Sequence, residues 1–391
     1  MSVDSFMGPI SRRDWLKLIG LATAGTITTP PLVAQPLTAA AGPNAGGAPV
    51  RLSLNENPFG PASSVIAAIQ REFGQLCRYT DMGAGQLQNA ISAKEGLSVD
   101  HIVLGEILEP LGTHLSLQGG PGGEFIYSDP GYTALIDAAS AVGGIGIPVP
   151  LNPAMQNDLP AIGAKVSPRT RAIFLVNPHN PTGTVTEADE LRRFVRETSS
   201  KALVIVDEAY LEFADAFTRR TLADRVRAGD NVIVFRTFAK IYGLAGLDIG
   251  YGLVPRPIAQ TLRQQGLDNP HLFNRLAVAA ATASLADAEF VSRVAATVAH
   301  EREIWLELLH DLQVKVTDSR GNFVFFETGL PHAAFAASLL DAGIDIGRAF
   351  PPYDRWARIS IGLPEENALA RAAVRQVLGR SGIKHRASDA R

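Results

Sequence analysis

Three short runs constrain the fold more than any other feature: "AIFLVN" (172–177), "ALVIVDEAY" (202–210) and "NVIVFRTF" (231–238). Each is rich in β-branched residues and closes on polar ones. Between the first two lies "TEADELRRFVRETSS" (186–200), whose apolar positions recur at helical spacing. Strands that alternate with helices imply a mainly parallel sheet covered on both faces. Ligands of such sheets bind beyond the carboxyl ends of the strands, so the polar residues closing these runs are the candidates for chemistry.

After Asn269 the texture changes. An Ala-rich helical stretch (275–312) leads to "NFVFFETG" (322–329) and "WARISIGL" (356–363), which reads as an α+β region. The expected organisation is a large domain over 81–268 and a smaller one over 269–391. Residues 42–80, a linker and N-terminal segment, join the smaller one. With 46% hydrophobic and 19% charged residues the chain has a sizeable core, and its formal net charge of −3 argues against nucleic acid as a partner. The single cysteine, Cys77, has no internal partner, and no Cys/His cluster has zinc spacing.

The first 41 residues are of another kind. Arg12 and Arg13, followed by Trp15, Leu16 and Lys17, precede the apolar "LIGLATAGTITT" and a Pro/Ala/Gly-rich exit. A membrane span needs about 20 apolar residues, and this stretch is shorter. Charge, apolar run and small-residue exit, in that order, describe an export signal. The arginine pair resembles the twin-arginine signal, which carries folded proteins to the periplasm. Cleavage is expected around Ala39–Ala41.

Four strand-end elements could carry chemistry: the turn "NPHNPTG" (177–183) with Asn180, "DEAY" (207–210) with Asp207 and Tyr210, "TFAK" (237–240) with Lys240, and "ARISIG" (357–362) with Arg358. Seen singly they read as a turn, a helix cap, a surface lysine and an ion pair. Together they suit one chemistry. A lysine in an apolar pocket has its pKa lowered by desolvation and can attack an aldehyde to form a Schiff base. With pyridoxal phosphate as that aldehyde, an aspartate at the pyridine nitrogen makes the ring an electron sink. An arginine takes a substrate carboxylate by a two-point contact.

The ordered set "LSLNENPFGP" (52–61), "RYTD" (78–81), "SDPGY" (128–132), "NPHNPTG", "DEAY", "RTFAK" and "RISIG" resembles the fold-type I pyridoxal-phosphate enzymes. The likeness is to class I/II aminotransferases near histidinol-phosphate aminotransferase, over about residues 51–380. The resemblance implies a large domain with a mainly parallel seven-stranded sheet plus a smaller α+β domain. It makes Lys240 the Schiff-base lysine and proton carrier, sets Asp207 at the ring nitrogen, Tyr210 and Asn180 at O3′, Tyr132 on the ring face, Thr237 at the phosphate and Arg358 at the substrate carboxylate. Asn57 falls in the segment lining the substrate pocket. Tyr79 matches a tyrosine that reaches the neighbouring subunit's site, which implies a homodimer. The partners implied are an amino donor and a keto-acid acceptor.

Three positions depart from the family's pattern. Asp248 stands where an arginine clamps the cofactor phosphate. "LGEILEPLG" (104–112) replaces a Gly-Ser-Asp-like turn whose helix amides cradle that phosphate, and Ala239 replaces a serine. A like-charge pair at about 4 Å costs about 4 kcal/mol at an effective dielectric of 20. Phosphate recognition is thus rebuilt or weakened. Three accounts stand open: an aminotransferase in which another cation such as Arg236 takes over; a site retuned for oxidation, elimination or racemisation; or a binding protein without catalysis. Histidinol phosphate itself does not suit an exported protein, and an amino acid or related amine with a free carboxylate is the expected substrate.

Overall fold

The structure is a computed structural model that describes residues 47–80 and 82–380; the export-signal segment lies outside these residues. The strands are β1 (Val50–Leu52), β2 (Ile102–Leu104), β3 (Glu124–Asp129), β4 (Ile145–Pro150), β5 (Thr170–Val176), β6 (Leu203–Asp207), β7 (Val232–Thr237), β8 (Gly250–Leu253), β9 (Phe323–Glu327), β10 (Ile344–Ile346) and β11 (Trp356–Ser360). Strands β2 to β8 form one seven-stranded sheet in the order β2-β8-β7-β6-β5-β3-β4. From β4 to β7 every neighbour is parallel. The antiparallel pairs, β7 with β8 and β8 with β2, are confined to one edge.

Side chains alternate across a strand, so each central strand feeds two separate apolar layers. Val204, Val206, Val232 and Val234 pack on one face with Leu87 and Ile91 of the helix Met82–Glu95 and Leu191 and Val195 of the helix Ala188–Thr198. Leu203, Ile205, Ile233 and Phe235 pack on the other with Leu111 and Leu115 of the helix Leu108–Leu117 and Leu135 of the helix Ala134–Ala141. Complete burial of each such side chain stabilises the fold by about 1.5–3 kcal/mol. The helix Ala188–Thr198 is the amphipathic segment read from the sequence. Its N-cap, Glu187, accepts hydrogen bonds from the N–H groups of Asp189 and Glu190.

The Ala-rich stretch is two helices, Arg275–Ala286 and Ala288–Asp311. Asp287 separates them: its carboxylate accepts from the Phe290 N–H at 3.0 Å and from the Ser64 hydroxyl at 2.7 Å. β9 and β11 pair antiparallel with Arg358 opposite Phe325, and β1 pairs parallel with β10. The N-terminal segment thus contributes a strand to the C-terminal region. The described residues all fall within one compact unit.

Candidate active site

The parallel register sets Val176 beside Asp207 and Asp207 beside Phe235. The ends of β5, β6 and β7 therefore open onto one edge, where β6, β7 and the turn after β5 line a cavity of about 380 Å³ with Tyr132, Asn180, Asp207, Tyr210, Thr237 and Lys240 in its wall. The sequence spreads these residues over more than a hundred positions.

Asp207 ends β6 and is buried. Burial pushes its carboxyl up to about 7. The Ala209 N–H, donating to Oδ1 at 2.9 Å, pulls the other way, as does Lys240, while Glu106 adds to the rise. Lys240 follows β7 in a tight loop. The Ala239 N–H donates to Thr237 Oγ1 at 3.0 Å and the Gly243 N–H to the Lys240 carbonyl at 3.0 Å. Lys240 Nζ lies 5.7 Å from the centre of the Tyr210 ring. Gly243 has φ +71°, and a Cβ there would sit 2.8 Å from the Gly60 Cα, so only glycine lets the N-terminal segment cross the lysine loop so closely.

Arg358 reaches the site from β11 without lining the cavity itself. Its Nη1 donates to Asn180 Oδ1 at 2.6 Å and its Nη2 to the Ser53 carbonyl at 2.8 Å, while Nε has no partner. Its guanidinium carbon lies 5.0 Å from the Phe350 ring centre and 5.6 Å from that of Phe323. Burial lowers its pKa to about 10. Among the described residues no carboxylate forms an ion pair with it. It is a buried cation without an anion.

Two other expected site residues stand elsewhere. Asn57 does not line the cavity; its side-chain amide donates to the Ile241 carbonyl at 2.6 Å and so fastens the lysine loop. Tyr79 is 75% exposed, makes an edge contact with His271 at 5.6 Å and does not line this chain's cavity.

The suggestion that Arg236 takes over the phosphate is overturned. Residues 235 and 237 face the cavity, so Arg236 faces the opposite side of the sheet. There it is 1% exposed and pairs at 2.9 Å with Glu95 and at 2.9 Å with Glu208.

Asn55 was missed as a site residue, although it lies in the quoted "NENP" segment. With φ +55° it donates from Nδ2 to the Tyr210 hydroxyl at 3.2 Å, and its Oδ1 accepts from Ser360 Oγ at 2.9 Å. It holds Tyr210 to β11.

The cavity also holds further carboxylates. Glu106, Glu109 and Asp248 line it, and Lys240 is the only cation among its described lining residues. Thr237 Oγ1, expected at the phosphate, donates instead to Glu106 Oε1 at 2.7 Å. Burial pushes the Glu106 carboxyl up to about 7; Thr237 opposes the rise, and Asp248 adds to it. The donor set therefore fits pyridoxal phosphate at its ring, with an amine, a buried carboxylate, an amide and a phenol. It does not fit at the phosphate, where carboxylates stand.

Residues 48–374 match the family described as aminotransferase class I and II. The chain is 33% identical to a histidinol-phosphate aminotransferase of Moorella thermoacetica, over 84% of this chain and 85% of that one. It is 36% identical to an aromatic amino acid aminotransferase of Streptomyces avermitilis, over 84% and 89%. The histidinol-phosphate aminotransferase of Sinorhizobium meliloti, solved in complex with pyridoxal 5′-phosphate, superposes with a TM-score of 0.76 at 30% identity, covering 85% of this chain and 91% of that one. The chain belongs to the class I and II aminotransferases, pyridoxal-phosphate-dependent transferases of fold type I.

Proposed function

We propose that this aminotransferase acts on an amino acid or related amine bearing a free carboxylate, with Lys240 as its catalytic residue. The observation that carries the reading is the juxtaposition of the Lys240 amine and the buried Asp207 carboxylate in one cavity, beside a buried arginine that has no anion among the described residues.

Pyridoxal phosphate, when bound, supplies an aldehyde for the amino group and a ring that withdraws electrons from the substrate Cα. The chain's residues do the rest. Asp207 holds the proton of the ring nitrogen, and a cation beside it offsets the cost of its buried charge. Asn180 and Tyr210 would hold the ring's phenolic oxygen, and Tyr132 would cover a face. Arg358 binds the substrate carboxylate through its fork and thereby orients the Cα proton. Lys240 Nζ would take that proton and hold it for return.

Exposed Tyr79 supports a homodimer in which it serves the neighbouring site. The pairing of β1 with β10 supports a division into a large domain over 81–268 and a smaller one over 269–391 that takes in the N-terminal segment. The arginine pair at 12–13 supports export in the folded state to the periplasm. The test is to supply candidate amino acids with a keto-acid acceptor and follow the new keto acid by mass. Release of ammonia or peroxide without an acceptor would instead favour other amino-acid chemistry on the same lysine.

A further inference from the structure

We propose that this pocket does not select for the phosphate of its cofactor: it holds the ring and the aldehyde, and takes a phosphate-free pyridoxal as tightly as the phosphorylated one. The inference rests on the reading that Lys240 carries the aldehyde.

Three features concern the positions that the family's pattern assigns to the phosphate: residue 248, Thr237 and the 104–112 turn. The first is charge. Glu106, Glu109 and Asp248 line the cavity, and its described lining residues include no cation except Lys240, which the aldehyde itself would occupy. A dianion set against carboxylates is repelled, and most strongly where water is excluded.

The second is occupancy of the donors. The Thr237 hydroxyl is spent on Glu106, and Arg236 is locked on the far face between Glu95 and Glu208. The third is the helix Leu108–Leu117, whose first turn opens here. It already carries Glu109, and Pro110 brings no N–H. A carboxylate in the first turn offsets the partial positive charge that otherwise draws an anion to a helix N-terminus.

The ring residues are engaged differently: Asn180 gives its Oδ1 to Arg358 and the Tyr210 hydroxyl oxygen accepts from Asn55, and both keep an N–H or O–H to offer the ring's phenolic oxygen. Asp207, Asn180, Tyr210 and Tyr132 are placed where they can act on the ring, and none of them depends on a phosphate. Selection by the ring alone follows.

The test uses the full-length protein freed of cofactor and two aldehydes, pyridoxal 5′-phosphate and 5-deoxypyridoxal. The latter lacks both the phosphate and the hydroxyl that would close on its own aldehyde. In each case the Lys240 amine condenses with the aldehyde, forming a C–N bond and releasing one water. Absorbance gives the dissociation constant, and borohydride reduction followed by mass spectrometry locates the adduct.

At pH 8 the two constants should agree within about tenfold. Asp248→Asn and Glu106→Gln should each tighten the phosphorylated aldehyde by about tenfold and leave 5-deoxypyridoxal unchanged. Lowering the pH to 6 should raise the affinity for the phosphorylated aldehyde relative to 5-deoxypyridoxal, because Glu106, faced by Asp248, Glu109, Asp207 and Lys240, gains a proton, whereas protonation of Asp207 bears on the ring that both aldehydes share. If the phosphorylated aldehyde binds a hundredfold or more tighter in the unaltered protein, the proposal fails even if neither variant folds. If neither aldehyde reaches Lys240, the reading of the lysine fails and the inference falls with it.

Discussion

Arg358 Nη1 donates to Asn180 Oδ1 at 2.6 Å, joining a strand of the C-terminal region to the turn that closes β5. The bond leaves Arg358 buried with one guanidinium nitrogen unpartnered and, among the described residues, no carboxylate for its charge. An arginine in that state binds a carboxylate strongly because the cost of its desolvation is already met by folding. Lysine offers a point charge where arginine offers a fork. Arg358→Lys should therefore raise KM for a carboxylate-bearing amino acid by about a hundredfold, in line with 2–3 kcal/mol for a charged hydrogen-bonded pair. Its effect on the corresponding amine without a carboxylate should be small. Steady-state kinetics on such a matched pair decides it, and equal losses on both would remove Arg358 from substrate recognition.

Lys240 is the sole amine in the cavity wall among the described residues. Lys240→Ala should abolish borohydride-stable attachment of the cofactor aldehyde and lower turnover by at least about four orders of magnitude, as expected when the proton carrier is removed. The fold should persist, because Lys240 is only half-buried and forms no ion pair among the described residues. Peptide mapping after reduction gives the first answer and circular dichroism the second. Attachment surviving at another lysine would relocate the site.

Arg236 makes a prediction of the opposite kind. It is buried behind the sheet among Glu95, Glu208 and Thr221, with its guanidinium 4.6 Å from the Phe217 ring centre. Removing one member of a buried ionic cluster leaves uncompensated charge, typically at a cost of about 3–5 kcal/mol. Arg236→Met should lower the unfolding midpoint sharply. At a temperature where the variant stays folded, its affinity for the cofactor should match that of the unaltered protein. A selective loss of affinity for the phosphorylated aldehyde would restore Arg236 as a phosphate ligand.

The strand–helix alternation was legible because parallel strands buried on both faces are forced to be apolar throughout, and their polar endings mark one edge of the sheet. Asp207 and Lys240 could be read for the same reason. Arg236 could not be placed until the parity of β7 was known: adjacent residues point to opposite faces, so Thr237 in the cavity obliges Arg236 to leave it. Asn55 and Asn57 posed a similar difficulty. The two lie two residues apart in one motif, and only packing against Tyr210, Ser360 and Ile241, far along the chain, separates their tasks. Asp248 was legible as a departure in type. That it shares a cavity with Glu106 and Glu109 depends on how two segments far apart in the chain meet.

Asp207 links the site to stability. Burial pushes its carboxyl up to about 7 in the folded protein, well above its usual value, so the folded state holds this proton more tightly than the unfolded chain. The sign follows: the contribution is complete at pH values below the ordinary carboxylate pKa and is lost as pH rises toward 7. Its full size is roughly 4 kcal/mol at most, since each pKa unit is worth about 1.4 kcal/mol. Asp207→Asn removes the titration while keeping an oxygen to accept the Ala209 N–H. In the cofactor-free protein the variant should melt higher than the unaltered chain at pH 8, with the difference shrinking toward pH 5. Addition of the cofactor should reverse the order at pH 8, because only the aspartate gains a cationic ring nitrogen as its partner. Thermal melts at the two pH values, with and without pyridoxal phosphate, read all four states. If the asparagine variant gains no stability at pH 8 without cofactor, the Asp207 carboxyl is not held at a cost in the folded protein.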